Sequence, residues 1–182
     1  MNALDKFRVG FLVSTIALYG AKFIIPVEKK TEYEINGWTV ETHEGKLKMD
    51  ITGLVAQCYE VEYTNDKKIL RVYVDGLFNL FTEEEKKIIL THELGHAVVP
   101  EAFVKPGDMT YDLLYTIGIT PKQEYYADNY AVQTWGYSKV RKTLEKMLLI
   151  SNIYGISLIS RIAKLGYDEL SGKDPEVATA NA

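Results

Sequence analysis

Two of the three histidines in this chain, His92 and His96, stand four residues apart, with Glu93 directly after the first. The stretch His92-Glu93-Leu94-Gly95-His96 can serve one chemistry only if it is an α-helix. There, positions four apart lie on one face, so both imidazoles reach a single metal ion. Glu93 then sits beside that ion, where it can take a proton from water that the metal has made acidic. The flanking residues meet the demand for a helix. Thr82 and Glu85 form a capping box, and Glu83, Glu84 and Glu85 place negative charge against the helix N-terminus. Helix formers run on from Lys86 through His96, and Pro100 marks the expected end.

Two histidines do not complete a catalytic site, which takes three protein ligands and leaves one position for water. The extended motif that adds a glycine and a third histidine is excluded, because those positions are Val99 and Ala102. His43, the remaining histidine, lies in the polar, turn-like stretch Glu41–Gly45 and reads as a surface residue. Glu124 is the stronger candidate. Thr120-Pro121-Lys122-Gln123 reads as a second helix start, with Thr120 at the N-cap, so Glu124 falls in the first turn. Asp128 follows one turn later on the same face, where a carboxylate can accept the free N–H of a ligating histidine. Glu101, Asp108, Asp112 and Asp128 itself stay open as alternative third ligands.

The approach Asp75-Gly76-Leu77, the helix with His92-Glu93-Leu94-Gly95-His96, and the later Glu124-Tyr125-Tyr126-Ala127-Asp128 together resemble the M48-type gluzincin metallopeptidases. That group includes the CAAX prenyl proteases and the HtpX-type membrane proteases. The resemblance covers roughly residues 70–150. It implies a zinc-dependent endopeptidase in which His92, His96 and Glu124 bind Zn²⁺, Glu93 is the general base and Asp128 orients a ligand. A protein or peptide would be the substrate. A second electrophile would come from Tyr111, Tyr115, Tyr125, Tyr126, Tyr130 or Arg141. Two other readings stand beside it: a non-catalytic, zinc-stabilised interaction module, and a short H-E-x-x-H protease of the type that cleaves phage repressors.

The rest of the chain points to an α+β fold, a small antiparallel sheet packed on a helical zincin core. Glu32–Thr42 alternates around Asn36-Gly37, a hairpin turn. Val55–Tyr63 alternates with Val55, Tyr59, Val61 and Tyr63 on one face and Ala56, Cys58, Glu60 and Glu62 on the other. In Ile69–Val74, Leu70, Val72 and Val74 share a face, and this strand is the candidate edge for main-chain pairing with a peptide. Helices are expected over Ser138–Ile150 and Ile153–Leu165, with core-spaced apolar stripes. The metallopeptidase domain spans 27–170 and a flexible tail 171–182.

Residues 1–26 form an apolar N-terminal segment. Val9 to Ala21 carries no charge, with Lys6 and Arg8 before it and Lys22 after. That run is shorter than the ~20 residues of a spanning helix. Three readings follow: a packed or interfacial helix, a membrane anchor through residues 9–25, or a cleaved signal. The protein is accordingly expected in the cytoplasm or at a membrane. A net charge of −4 and the lack of a basic cluster interleaved with aromatics argue against nucleic acid. The single cysteine excludes an internal disulfide framework and any Cys-rich metal site.

Overall fold

The chain turns back on itself at Asn36 and Gly37, whose φ angles of +50° and +76° suit a two-residue hairpin turn. The arms are β1 (Val27–Ile35) and β2 (Trp38–Gly45), paired antiparallel with Ile35 opposite Trp38. The structure is a computed structural model that describes residues 27–45, 56–64, 67–104, 110, 114, 119–150 and 155–175. The apolar N-terminal segment, the tail beyond residue 175 and most of the 105–118 stretch lie outside the described residues, as do Asp108, Asp112, Tyr111 and Tyr115. No described helix is long and apolar enough to cross a membrane.

Two further strands, β3 (Ala56–Tyr63) and β4 (Lys68–Val74), complete a sheet of order β1-β2-β4-β3. The α+β class is as expected, but the sheet is mixed rather than wholly antiparallel. β4 inserts between β2 and β3, pairing antiparallel with β3 and parallel with β2. This placement also removes Ile69–Val74 as a docking edge, since both sides of that strand are already hydrogen-bonded. Among the described residues, the edges are β1 and β3 instead. A central strand must be apolar on its covered face, and Leu70, Val72 and Val74 are buried as the alternation requires.

Strict alternation fails in β3. Cys58 pairs with Val72 but Glu60 pairs with Arg71, so one extra residue is accommodated between them. Such a bulge reverses the side-chain phase. Ala56, opposite Val74, is therefore buried and Val61, opposite Leu70, lies on the same face but exposed at the sheet edge, while Glu60 and Glu62 reach Arg71 on the other. The Glu41–Gly45 stretch is likewise strand, not turn. It is held between β1 and β4, and Glu41 is buried against Lys30 and Arg71 at 2.8 and 3.0 Å.

Four α-helices follow among the described residues: α1 (Glu83–Val98), α2 (Lys122–Trp135), α3 (Tyr137–Ile150) and α4 (Gly155–Leu170). α1 is the central element. Its Ile89, Leu90 and Leu94 pack with Val40, Leu70, Val72 and Val74 of the sheet. On its opposite side Ile88 joins Ala131, Val132, Val140, Leu144, Leu158 and Leu165 of the other helices. Burial of each such leucine contributes about 1.5–3 kcal/mol, so α1 is fixed from two sides. α4 runs five residues beyond the expected Leu165. Its end is set by Gly172 at φ +62°, which lets Lys173 N–H reach the Asp168 carbonyl and Gly172 N–H the Glu169 carbonyl.

α1 and α2 approach closely because Gly95 has no side chain. A Cβ there would lie 3.0 Å from Ala127 Cα, 3.2 Å from its carbonyl oxygen and 3.2 Å from Tyr130 Cβ. Backbone atoms cannot yield as a flexible side-chain tip does. Gly95→Ala gains up to about 1 kcal/mol in helix propensity but over-packs this contact, which costs about 1–3 kcal/mol. The variant is expected to melt below the wild type in a thermal scan. Melting at or above the wild type would show that the α1–α2 contact is not tight.

Candidate metal centre

The capping box at the start of α1 is formed as read. Glu85 N–H donates to Thr82 Oγ1 at 3.3 Å, and Thr82 N–H donates to a Glu85 carboxylate oxygen at 2.7 Å. This start sets the phase in which His92 and His96 leave the helix together, their ring centroids 4.9 Å apart. Glu93 follows His92 on the same helix and is buried.

α2 begins one residue later than expected. Its cap position is Pro121, with no side-chain capping bond, and Thr120 is used otherwise. The Thr120 hydroxyl donates to the Ser157 carbonyl at 3.2 Å and lies 3.0 Å from Ser157 Oγ, tying the start of α2 to α4. Glu124 still falls in the first turn. Glu124, Ala127, Asp128 and Ala131 form one stripe at helical spacing, and all four are buried.

Because Gly95 lets α2 come close, that stripe meets the histidines. Glu124 Oε2 lies 3.4 Å from His92 Nε2, and Oε1 lies 3.3 Å from His96 Nε2. The outer nitrogens are both committed. His92 Nδ1 donates to Asp128 Oδ1 at 2.9 Å, and His96 Nδ1 donates to the Ala102 carbonyl at 2.7 Å. That carbonyl belongs to the 3₁₀ turn Pro100–Ala102 directly after α1. Each imidazole is thus oriented with Nε2 inward.

A fourth element closes the cluster. Arg161 of α4 is only 3% exposed. Its NH1 lies 2.7 Å from Glu124 Oε2, its Nε 2.8 Å from Asp128 Oδ2 and its NH2 2.6 Å from Asp128 Oδ1. NH2 also lies 3.3 Å from His92 Nδ1. Burial alone would raise both carboxyls. For Glu124, the Arg161 charge and the two histidines outweigh it and hold the group well below the usual carboxylate range. Asp128 is likewise held low by Arg161 and His92. For His92, burial and Arg161 push downward, but Asp128 and Glu124 prevail and its pKa is raised to about 9.

These residues fit a metal ion. One atom each from His92, His96 and Glu124 can be chosen so that all lie within 4.8 Å of one another. Each imidazole Nε2 faces a different oxygen of the Glu124 carboxylate, at 3.4 Å for His92 and 3.3 Å for His96, so the carboxylate lies across the point on which both nitrogens converge. With both imidazoles neutral, as metal ligation requires, Glu93, Glu124 and Asp128 against Arg161 leave two formal negative charges, which a divalent cation neutralises. Two imidazoles and a carboxylate suit a first-row divalent metal.

The other candidates among the described residues fall elsewhere. Glu101 is exposed in the 3₁₀ turn. His43 sits on β2, 3.6 Å from Glu41. Among the candidate electrophiles, Arg141 is engaged by Glu169 at 2.6 Å and Glu145 at 3.6 Å. The Tyr130 hydroxyl accepts from Asn36 Nδ2 at 3.2 Å, and Tyr125 and Tyr126 are half-buried on α2. Arg161 was absent from the sequence-derived site. Its signal was its place in the stripe Leu158, Arg161, Leu165, Asp168, a charged residue on a helix face otherwise spaced for burial. Comparison of the chain with family models, curated proteins and solved structures returns no match.

Proposed function

We propose that this protein is a zinc-dependent endopeptidase of gluzincin type, with His92, His96 and Glu124 as metal ligands and Glu93 as general base. The observation that carries the reading is the convergence of the three donor side chains within 4.8 Å, on two helices, with Glu93 buried on the helix that carries the two histidines. The likeness of the two motifs to the M48-type metallopeptidases leads to the same chemistry. Zinc held there supplies Lewis acidity, polarising a peptide carbonyl and making water acidic enough to lose a proton near neutral pH.

The chain's own residues do the rest. Glu93 takes the water proton on its carboxylate and returns it to the departing amine nitrogen. Asp128 and the Ala102 carbonyl keep the two imidazoles in the orientation that presents Nε2. β3, the edge strand packed beside α1, is the strand on which an extended peptide would pair in this reading.

The test is cleavage of an unstructured protein by the zinc-loaded and the chelator-stripped protein, with metal content measured on both. The expected result is one zinc per chain, fragmentation only in the loaded form, and recovery when zinc is returned. One bound zinc with no cleavage of any unfolded chain would make the protein a zinc-stabilised interaction module. No bound zinc would overturn the reading at its base.

A further inference from the structure

We infer that Arg161 is a positioning residue of the metal centre, fixing how Glu124 and Asp128 present themselves and making metal affinity depend on the docking of α4. The inference rests on the metal-centre reading above and reaches beyond the ligands to a third helix. Glu124 and Asp128 are both nearly sealed from water, at 3% and 1% exposure. A buried carboxylate ordinarily keeps rotational choice about its last torsion, so the plane in which its oxygens lie is free. Arg161 removes that choice. Its NH1 holds Glu124 Oε2 at 2.7 Å, the oxygen 3.4 Å from His92 Nε2, and so fixes the carboxylate plane that leaves Oε1 3.3 Å from His96 Nε2. Its Nε and NH2 take the two oxygens of Asp128 in parallel, 2.8 and 2.6 Å away, which fixes the plane of the carboxylate that holds His92 Nδ1. A planar guanidinium with donors on three sides can grip two carboxylates at once, and an ammonium cannot reproduce that fork.

Charge and position make opposite predictions here. Arg161 is a cation next to a cation site. If only its charge mattered, removing it would leave the site more negative and tighten metal binding. If it positions Glu124 and Asp128, removing it frees both carboxylates and weakens binding despite the added negative charge. Loss of a residue that orients ligands typically costs 10–100-fold in metal affinity. Arg161 reaches the site only because α4 is docked, through the Thr120–Ser157 tie and the packing of Leu158 and Leu165. Zinc binding and α4 docking therefore reinforce each other, as ligand linkage requires.

The experiment compares wild type, Arg161→Met and Arg161→Lys, using zinc competition against a chromophoric chelator, the visible spectrum of the cobalt-substituted protein, and circular dichroism. Both variants are expected to fold, to bind zinc roughly 10–100-fold more weakly than wild type, and to show an altered cobalt spectrum. The lysine variant should not rescue, since it restores charge without the fork. Zinc affinity equal to or tighter than wild type in Arg161→Met would overturn the inference, as would full rescue by lysine. Failure of both variants to fold would assign Arg161 to the fold alone and likewise overturn it. Wild type that binds no zinc would instead sink the metal-centre reading, and neither result depends on finding a substrate.

Discussion

Replacing Glu93 by glutamine is expected to leave zinc bound and to slow peptide cleavage by about 10²–10⁴-fold, the range over which a positioned general base contributes. The change keeps the volume of a buried side chain on the central helix, so packing against the core is preserved. Glu93 does not belong to the donor group of His92, His96 and Glu124, so metal content should stay at one per chain. What the amide loses is the capacity to accept a proton from water and return it to the leaving nitrogen. The check is single-turnover cleavage of an unfolded protein by both forms at saturating zinc, beside their melting temperatures. A variant with unchanged metal and unchanged melting that still cuts at the wild-type rate would remove Glu93 from the chemistry. A variant that loses its metal would show that Glu93 acts as a ligand.

The parts of the fold that were legible in the sequence are those fixed by neighbours in the chain. Thr82 and Glu85 announce the start of α1 because a capping box closes over three residues. Asn36-Gly37 announces the hairpin because both positions take positive φ. Leu70, Val72 and Val74 alternate because the strand they form has one covered face. The features that escaped depend on distant partners. Whether β2 meets β4 or β3 is settled by how the sheet assembles, and so the parallel pairing of Thr39 with Ile69 has no local signature. The bulge between Cys58 and Glu60 lets Ala56 reach the core face while Glu60 and Glu62 meet Arg71, a three-dimensional balance that strict alternation misses. Thr120 looks like an N-cap from its own neighbours, yet its hydroxyl is drawn to Ser157, 37 residues away.

The candidate site divides in the same way. The His92–Glu93–His96 triplet is legible because one helix turn carries it, and Glu124 with Asp128 because a second turn carries them. That these two turns face each other is decided by Gly95 against Ala127, a contact between residues that look like ordinary helix positions when read singly. Arg161, 33 residues beyond Asp128, belongs to the site only through α4. Sequence spacing can therefore nominate ligands, while the groups that orient them come from wherever the fold brings a matching charge.

Replacing Glu124 by glutamine is expected to weaken zinc binding about a hundredfold and to lower the stabilisation that zinc gives accordingly. Four-ligand zinc sites bind with about 10–16 kcal/mol, roughly 3 kcal/mol per ligand, so exchanging a carboxylate for a weakly ligating amide should cost about a hundredfold in affinity. The substitution keeps the side-chain volume, and Arg161 retains Asp128 as a partner at 2.6 and 2.8 Å, which limits the damage to the metal-free protein. A ligand that binds only the folded state stabilises it by an amount that grows with the logarithm of its concentration over Kd. Once zinc is well above both dissociation constants, a hundredfold loss subtracts about 2.7 kcal/mol, worth roughly 5–10 °C for a chain of this size. The measurement is the melting temperature with and without zinc, for wild type and variant. A large zinc-induced rise in wild type that shrinks by this amount in Glu124→Gln, with little change between the two metal-free proteins, assigns the carboxylate to the metal. An equal rise in both would mean that zinc is held without Glu124, and the third ligand would have to be sought elsewhere. A drop already present without zinc would mean that the carboxylate serves mainly as the buried counter-ion of Arg161, with the metal secondary to that pair.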